Sequence, residues 1–165
     1  MFELKSIAKQ SVSRALERAE RYRLLNEPRE AESICLDVLE IEPDNTAAVQ
    51  TLLLALTDQL ASHGAGRHME QAKQLLPRLL PYEQKYYAGI IAERFARHQL
   101  DSGRPGANSS AYFYLCEAMR FYDEAHDLAP EGNDEAILRH NTCVRTIKWH
   151  HLVEPERDDQ ELPLE

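Results

Sequence analysis

The sequence predicts an all-α fold of about seven helices. Apolar residues recur at spacings of three and four along most of the chain, which is the period of an amphipathic helix. The segments patterned in this way are separated by short breaks rich in Pro, Gly, Asn and Asp, residues that end helices and form turns. No stretch reads as a strand.

The first helix is expected from about Ser6 to Leu25, with Val12, Ala15, Leu16, Ala19 and Tyr22 on one face. Asn26-Glu27-Pro28 breaks it, and Pro28 suits the first turn of the next helix, where a missing N–H costs nothing. The second helix, about Arg29 to Ile41, aligns Ala31, Ile34, Cys35 and Val38. Pro43 stops it, and Asp44 or Asn45 can cap the third helix, about Thr46 to Ala61. That helix carries Val49, Leu52, Leu53, Leu56 and Leu60 and is apolar around much of its circumference, which places it centrally.

After a loop from His63 to Gly66, the fourth helix is expected from His68 to Leu80. Pro77 lies inside it and removes a hydrogen bond, at a cost of about 3 kcal/mol in a regular helix, so a kink or an early end is predicted there. The fifth runs from Tyr82 to Leu100, and the longest polar loop spans Asp101 to Ser110. The sixth, Ser110 to Leu128, is rich in aromatics. Tyr112, Phe113 and Tyr114 cannot all face inward, so at least one is expected on the surface. The seventh, Asp134 to His151, is expected to turn Ile137, Val144 and Ile147 inward. The helical domain is therefore 1–153, and the Pro-containing acidic stretch 154–165 reads as a disordered tail.

The 165 residues suit one domain, and 43% hydrophobic with 28% charged residues is an ordinary globular composition. The formal net charge of −9, with no basic cluster, argues against nucleic acid and against anionic lipid as partners. No apolar run is long enough to cross a bilayer, and the first ten residues lack the apolar stretch of a secretory leader. Cys35, Cys116 and Cys143 are odd in number and lack a CxxC, so they read as reduced thiols of a cytoplasmic protein.

Catalytic and cofactor motifs are not found: there is no GxGxxG after a strand, no GxxxxGK[ST], no HExxH and no GxSxG. No cofactor is expected and no enzymatic activity is assigned. His63 and His68 flank a glycine loop near Glu70, but a metal needs three converging groups, so the histidines are read as surface or capping residues. His140 and Cys143 share a helix face. A thiolate–imidazole pair could react, yet Cys143 falls at a core position.

A spacing recurs along the chain. Ala19, Tyr22, Ala31, Cys35, Val38 and Pro43 are separated by steps of three, nine, four, three and five. Ala118, Tyr122, Ala125 and Pro130 repeat the last three steps. A small residue lets two helices approach closely, a bulky one a turn later fills the groove between neighbours, and proline ends the second helix. This pattern resembles the tetratricopeptide repeat, with about three degenerate repeats and a capping helix. The resemblance implies a right-handed superhelical array of antiparallel helix pairs. It also implies a concave groove, lined by the first, third, fifth and seventh helices, that holds a peptide or helix of a partner protein.

By that resemblance the groove would be lined by Leu16, Glu20, Arg23, Gln50, Leu54, Asp58, Tyr86, Ile90, Glu93, Asn141 and Arg145. The family's clamp for a chaperone's C-terminal carboxylate needs Lys and Asn where this chain has Leu16 and Glu20, so that ligand is not expected. The mixed charges leave the sign of the partner open. The expected role is thus an adaptor or scaffold. The alternative is a small-molecule- or metal-responsive helical protein using the Gly64 and Gly106 loops. A third expectation is pairing of two copies through the ends of the array, where Trp149, Leu152 and Val153 form an apolar edge.

Overall fold

A computed structural model describes residues 1–61 and 64–155. Within them the chain is helical without strands: α1 (Val12–Leu24), α2 (Pro28–Ile41), α3 (Thr46–Asp58), α4 (Ala65–Leu75), α5 (Pro81–Ser102), α6 (Ala107–Leu128) and α7 (Glu135–Trp149). None of these helices is long and apolar enough to cross a membrane. The predicted tail from 156 onward lies outside the described residues, as does His63.

Local chemistry sets most of the boundaries. Pro28 and Pro81 open α2 and α5. The Asn45 side chain caps α3 by accepting from the Ala48 N–H at 2.9 Å. Asn26 takes a positive φ of 60° just past α1, where its short polar side chain tolerates the left-handed conformation. At Pro77 the chain tightens into a single 3-10 turn, Leu76–Arg78, so α4 ends at Leu75 and does not reach Leu80. The first helix is also shorter than expected: Lys9–Ser11 form a 3-10 turn, and the residues before it are not helical.

The largest departure lies between α5 and α6. The predicted ten-residue loop is mostly helix: Ser102 closes α5 and Ala107 opens α6, leaving 103–106 to reverse the chain. Gly103 and Gly106 at φ 59° and 78° make this turn possible, because both dihedrals lie where a Cβ is penalised. The length that departs from the repeat spacing is therefore absorbed as helix. α5 and α6 have 22 residues each, against 13 and 14 for α1 and α2.

Successive helices pack on one another, and α5 against α6 is the most extensive interface. Contacts also join α1 to α3 and α3 to α5. One core gathers Ala19, Ala31, Cys35, Leu53, Ala55 and Ala72 from α1–α4, together with Ile91 of α5. A second gathers Ile90, Ala96, Ala111, Leu115, Ala118, Tyr122, Ala136 and Cys143 from α5–α7. A smaller cluster of Val12, Val38 and Ala48 closes the N-terminal end. The recurring positions Ala19, Ala31, Cys35, Val38, Ala118, Tyr122 and Ala125 are all fully buried. Ile137, expected inside, is exposed. Ala136, Cys143 and Thr146 form the buried face of α7 instead. On α6 the outward aromatic is Phe113, while Tyr112 and Tyr114 are half-buried.

The α5–α6 crossing turns on one glycine. A Cβ at Gly89 would stand 2.4 Å from Cε1 of Tyr122 and 2.7 Å from Cδ1, so the ring lies directly on the glycine backbone.

Candidate functional site

The odd-numbered helices are joined by side chains. The Arg23 Nε donates to Oδ2 of Asp58 at 2.7 Å, tying α1 to α3. The Arg94 Nη1 donates to Oδ1 of the same carboxylate at 2.5 Å, to Thr57 Oγ1 at 2.6 Å and to the Leu54 carbonyl at 3.2 Å, tying α5 to α3. Gln50 donates to Glu83 at 2.8 Å, a second α3–α5 tie. Burial pulls the Arg94 pKa below the ordinary arginine value, against the raising field of Asp58.

Glu93 forms the second centre. It is 1% exposed and follows the buried Ile90, Ile91 and Ala92. Its Oε2 accepts from the Tyr122 hydroxyl at 2.7 Å. Its Oε1 accepts from Arg97 at 2.5 Å and from Arg139 of α7 at 3.4 Å. A buried carboxylate without such partners would be strongly destabilising, and here both oxygens are occupied. The Tyr122 phenol is pushed well above the usual tyrosine range by burial, with the Glu93 charge adding to it. Burial opposes the charge on Arg139, but Glu93, Tyr122 and Tyr86 outweigh it and hold its pKa up.

Each centre thus sets two guanidiniums on one carboxylate. The guanidinium side chains all reach solvent: Arg23, Arg94 and Arg139 are partly exposed and Arg97 is 48% exposed.

The eleven residues expected along the groove divide into three groups. Glu20, Asn141 and Arg145 are exposed, and Leu16, Gln50 and Tyr86 are half-buried. Arg23 and Asp58 are half-buried and engaged with each other. Leu54 packs against the second core. Ile90 and Glu93 correct the expectation, since they are 2% and 1% exposed and belong to the interior. One residue of helical phase explains this: α5 packs mainly on α6 and also meets α3, so its buried arc is wider than that of an outer helix. Sequence reasoning missed Arg94, Arg97, Arg139 and Tyr122 as members of the network. A signal was present in Glu93 and Arg97, a pair four apart that begins directly after the apolar run from Ala88 to Ala92.

Elsewhere, the α3–α4 and α5–α6 turns meet around a cleft of about 450 Å³ lined by Gly64, Gly66, Phe95, His98, Gln99 and Arg104. This brings the Gly64 loop to a histidine, although Gly106 does not line the cleft. Among the described residues no three His, Cys, Asp or Glu side chains converge as metal ligands do. The Cys143 thiol is pushed up to about 12 by burial, with Glu93 adding to the shift, and the His140 imidazole lies 2.8 Å from Asp123 on α6. A protonated, enclosed thiol is a poor nucleophile.

Comparison with protein-family models, with curated proteins and with solved structures finds no match to this chain.

Proposed function

We propose that the chain is a binding module of the helical-repeat kind, an adaptor that holds a peptide or helix of a partner protein against the face of α1, α3, α5 and α7. The observation that carries this reading is the line of polar ties between successive odd-numbered helices: Arg23 to Asp58, Asp58 to Arg94, Gln50 to Glu83, and Glu93 to Arg139. Such ties are those expected of four helices set side by side, and helices so arranged would present a continuous grooved surface. Glu20, Asn141 and Arg145 remain exposed along it. The burial of Ala19, Ala31, Ala118 and Ala125 at the helix crossings supports the same array.

The test uses substitutions that leave the core alone. Glu20→Arg and Arg145→Glu alter exposed positions of the proposed face, and Glu40→Arg alters an exposed position of α2 as a control. Leu54 and Tyr86 are unsuitable because both pack against the second core. Affinity capture from the native cell is expected to lose specific partners with the first two variants and keep them with the third. Equal recovery by all three would defeat the proposal.

A further inference from the structure

We propose that the seam between α5 and α7 selects an acidic segment of the partner, one whose carboxylates stand beside a large apolar side chain. The inference rests on the binding-module reading and supplies the chemistry of the ligand.

Two guanidiniums share one oxygen at this seam. Glu93 Oε1 takes both Arg97 and Arg139, and its other oxygen is used by Tyr122. The carboxylate has no further capacity to neutralise them, so the cluster keeps an excess of one positive charge. Its surroundings are partly desolvated, where a charge interacts more strongly than in bulk water. Arg97 is the more open of the pair, with 48% of its side chain exposed.

A cleft of about 280 Å³ opens beside Arg97 and is lined also by Leu100, Thr142, Thr146, Trp149 and His150. It falls below the range of about 300–1,000 Å³ usual for drug-sized ligands and suits a single large side chain. Trp149 is 69% exposed, an unusual state for the residue that most often anchors an interface. Asp101 also lines the cleft and opposes this charge, but it is exposed and screened by solvent. The chain as a whole carries −9 and would repel an acidic segment, so a local positive site is what would bring one to this place. An apolar contact on Trp149 and Leu100 with one carboxylate on Arg97, which lines the cleft, and a second on Arg139 outside it satisfies both features at once.

The full chain is titrated into a fluorescein-labelled twelve-residue peptide that alternates glutamate pairs with leucine, and into its lysine and glutamine counterparts. The glutamate peptide is expected to bind at least about tenfold tighter than either, with affinity falling as salt is raised. Arg97→Glu is expected to remove about tenfold of that affinity, and Trp149→Ala, on an exposed side chain that cannot upset the core, about threefold. Glutamate binding that is no tighter than glutamine binding, or that ignores Trp149→Ala, overturns the proposal. If the lysine peptide binds best and Glu20→Arg abolishes it, the charge assignment falls and the binding-module reading stands. If none of the three binds at millimolar concentration, the proposal falls, and the binding-module reading is decided by the capture test alone.

Discussion

Gly89→Ala sets two well-known effects against each other, and the structure decides the sign. In a helix interior the replacement of glycine by alanine normally stabilises by about 1 kcal/mol. At this position the new methyl would stand 2.4–2.8 Å from three carbons of the Tyr122 ring. The ring is fully buried and its hydroxyl is held by Glu93 at 2.7 Å, so it cannot swing aside freely. Forcing α5 and α6 apart costs about 1–3 kcal/mol as overpacking. Releasing the tyrosine instead forfeits a hydrogen bond to a charged group, about 1.5–3 kcal/mol. The net expectation is a loss of up to about 2 kcal/mol, or a fall in melting temperature of roughly 2–4 °C per kcal/mol for a chain of this size. Urea denaturation followed by far-UV circular dichroism measures it. In a Tyr122→Leu background the clash is gone, and the same substitution should become neutral or stabilising. A Gly89→Ala protein as stable as the parent, or one whose penalty survives the loss of the tyrosine ring, would refute the reasoning.

Two further outcomes are expected. Burial raises Cys35, Cys143 and Tyr87 to about 12, from ordinary values of 9.0, 9.0 and 10.0. The native state therefore holds more protons than the unfolded one between pH 9 and 12, and stability is complete below that window and declines through it, by up to about 1.4 kcal/mol per pH unit for each group; a urea midpoint that stays flat to pH 11 contradicts this. Asn45→Ala removes the cap on α3 and should cost about 1 kcal/mol, read as a lower urea midpoint with an unchanged slope.

The parts of this molecule that could be read from the sequence are those decided within a few residues. Pro28, Pro43, Pro77 and Pro81 act on the backbone directly, and Asn45 caps through the N–H three residues on, so the helix ends near them were predictable. The small residues Ala19, Ala31, Ala118 and Ala125 were legible because a close crossing tolerates nothing larger. The stretch from Asp101 to Ser110 was not, since its polar composition suits a loop and an exposed helix equally, and only the pairing of α5 with α6 selects the helix. The candidate site was half legible. Arg23 and Asp58 were both singled out, but they are 35 residues apart, and no local rule says that they bind each other. Glu93 is the clearest failure: its partners come from α6 and α7, and a glutamate is read as solvated until those helices are set in place.

The position of α5 carries a consequence for how the protein comes apart. Ile91 belongs to one core while Ile90 and Ala96 belong to the other, and Tyr87 touches both. Arrays of stacked helices are prone to fray, because each unit leans only on its nearest neighbours. Here a single helix is common property of the two halves. Loss of the α1–α4 half strips one flank of α5, and loss of α6 and α7 strips the other, so neither half can melt without weakening the one that remains. The chain is built to unfold as a unit, and a cut on either side of α5 would leave one core missing a wall.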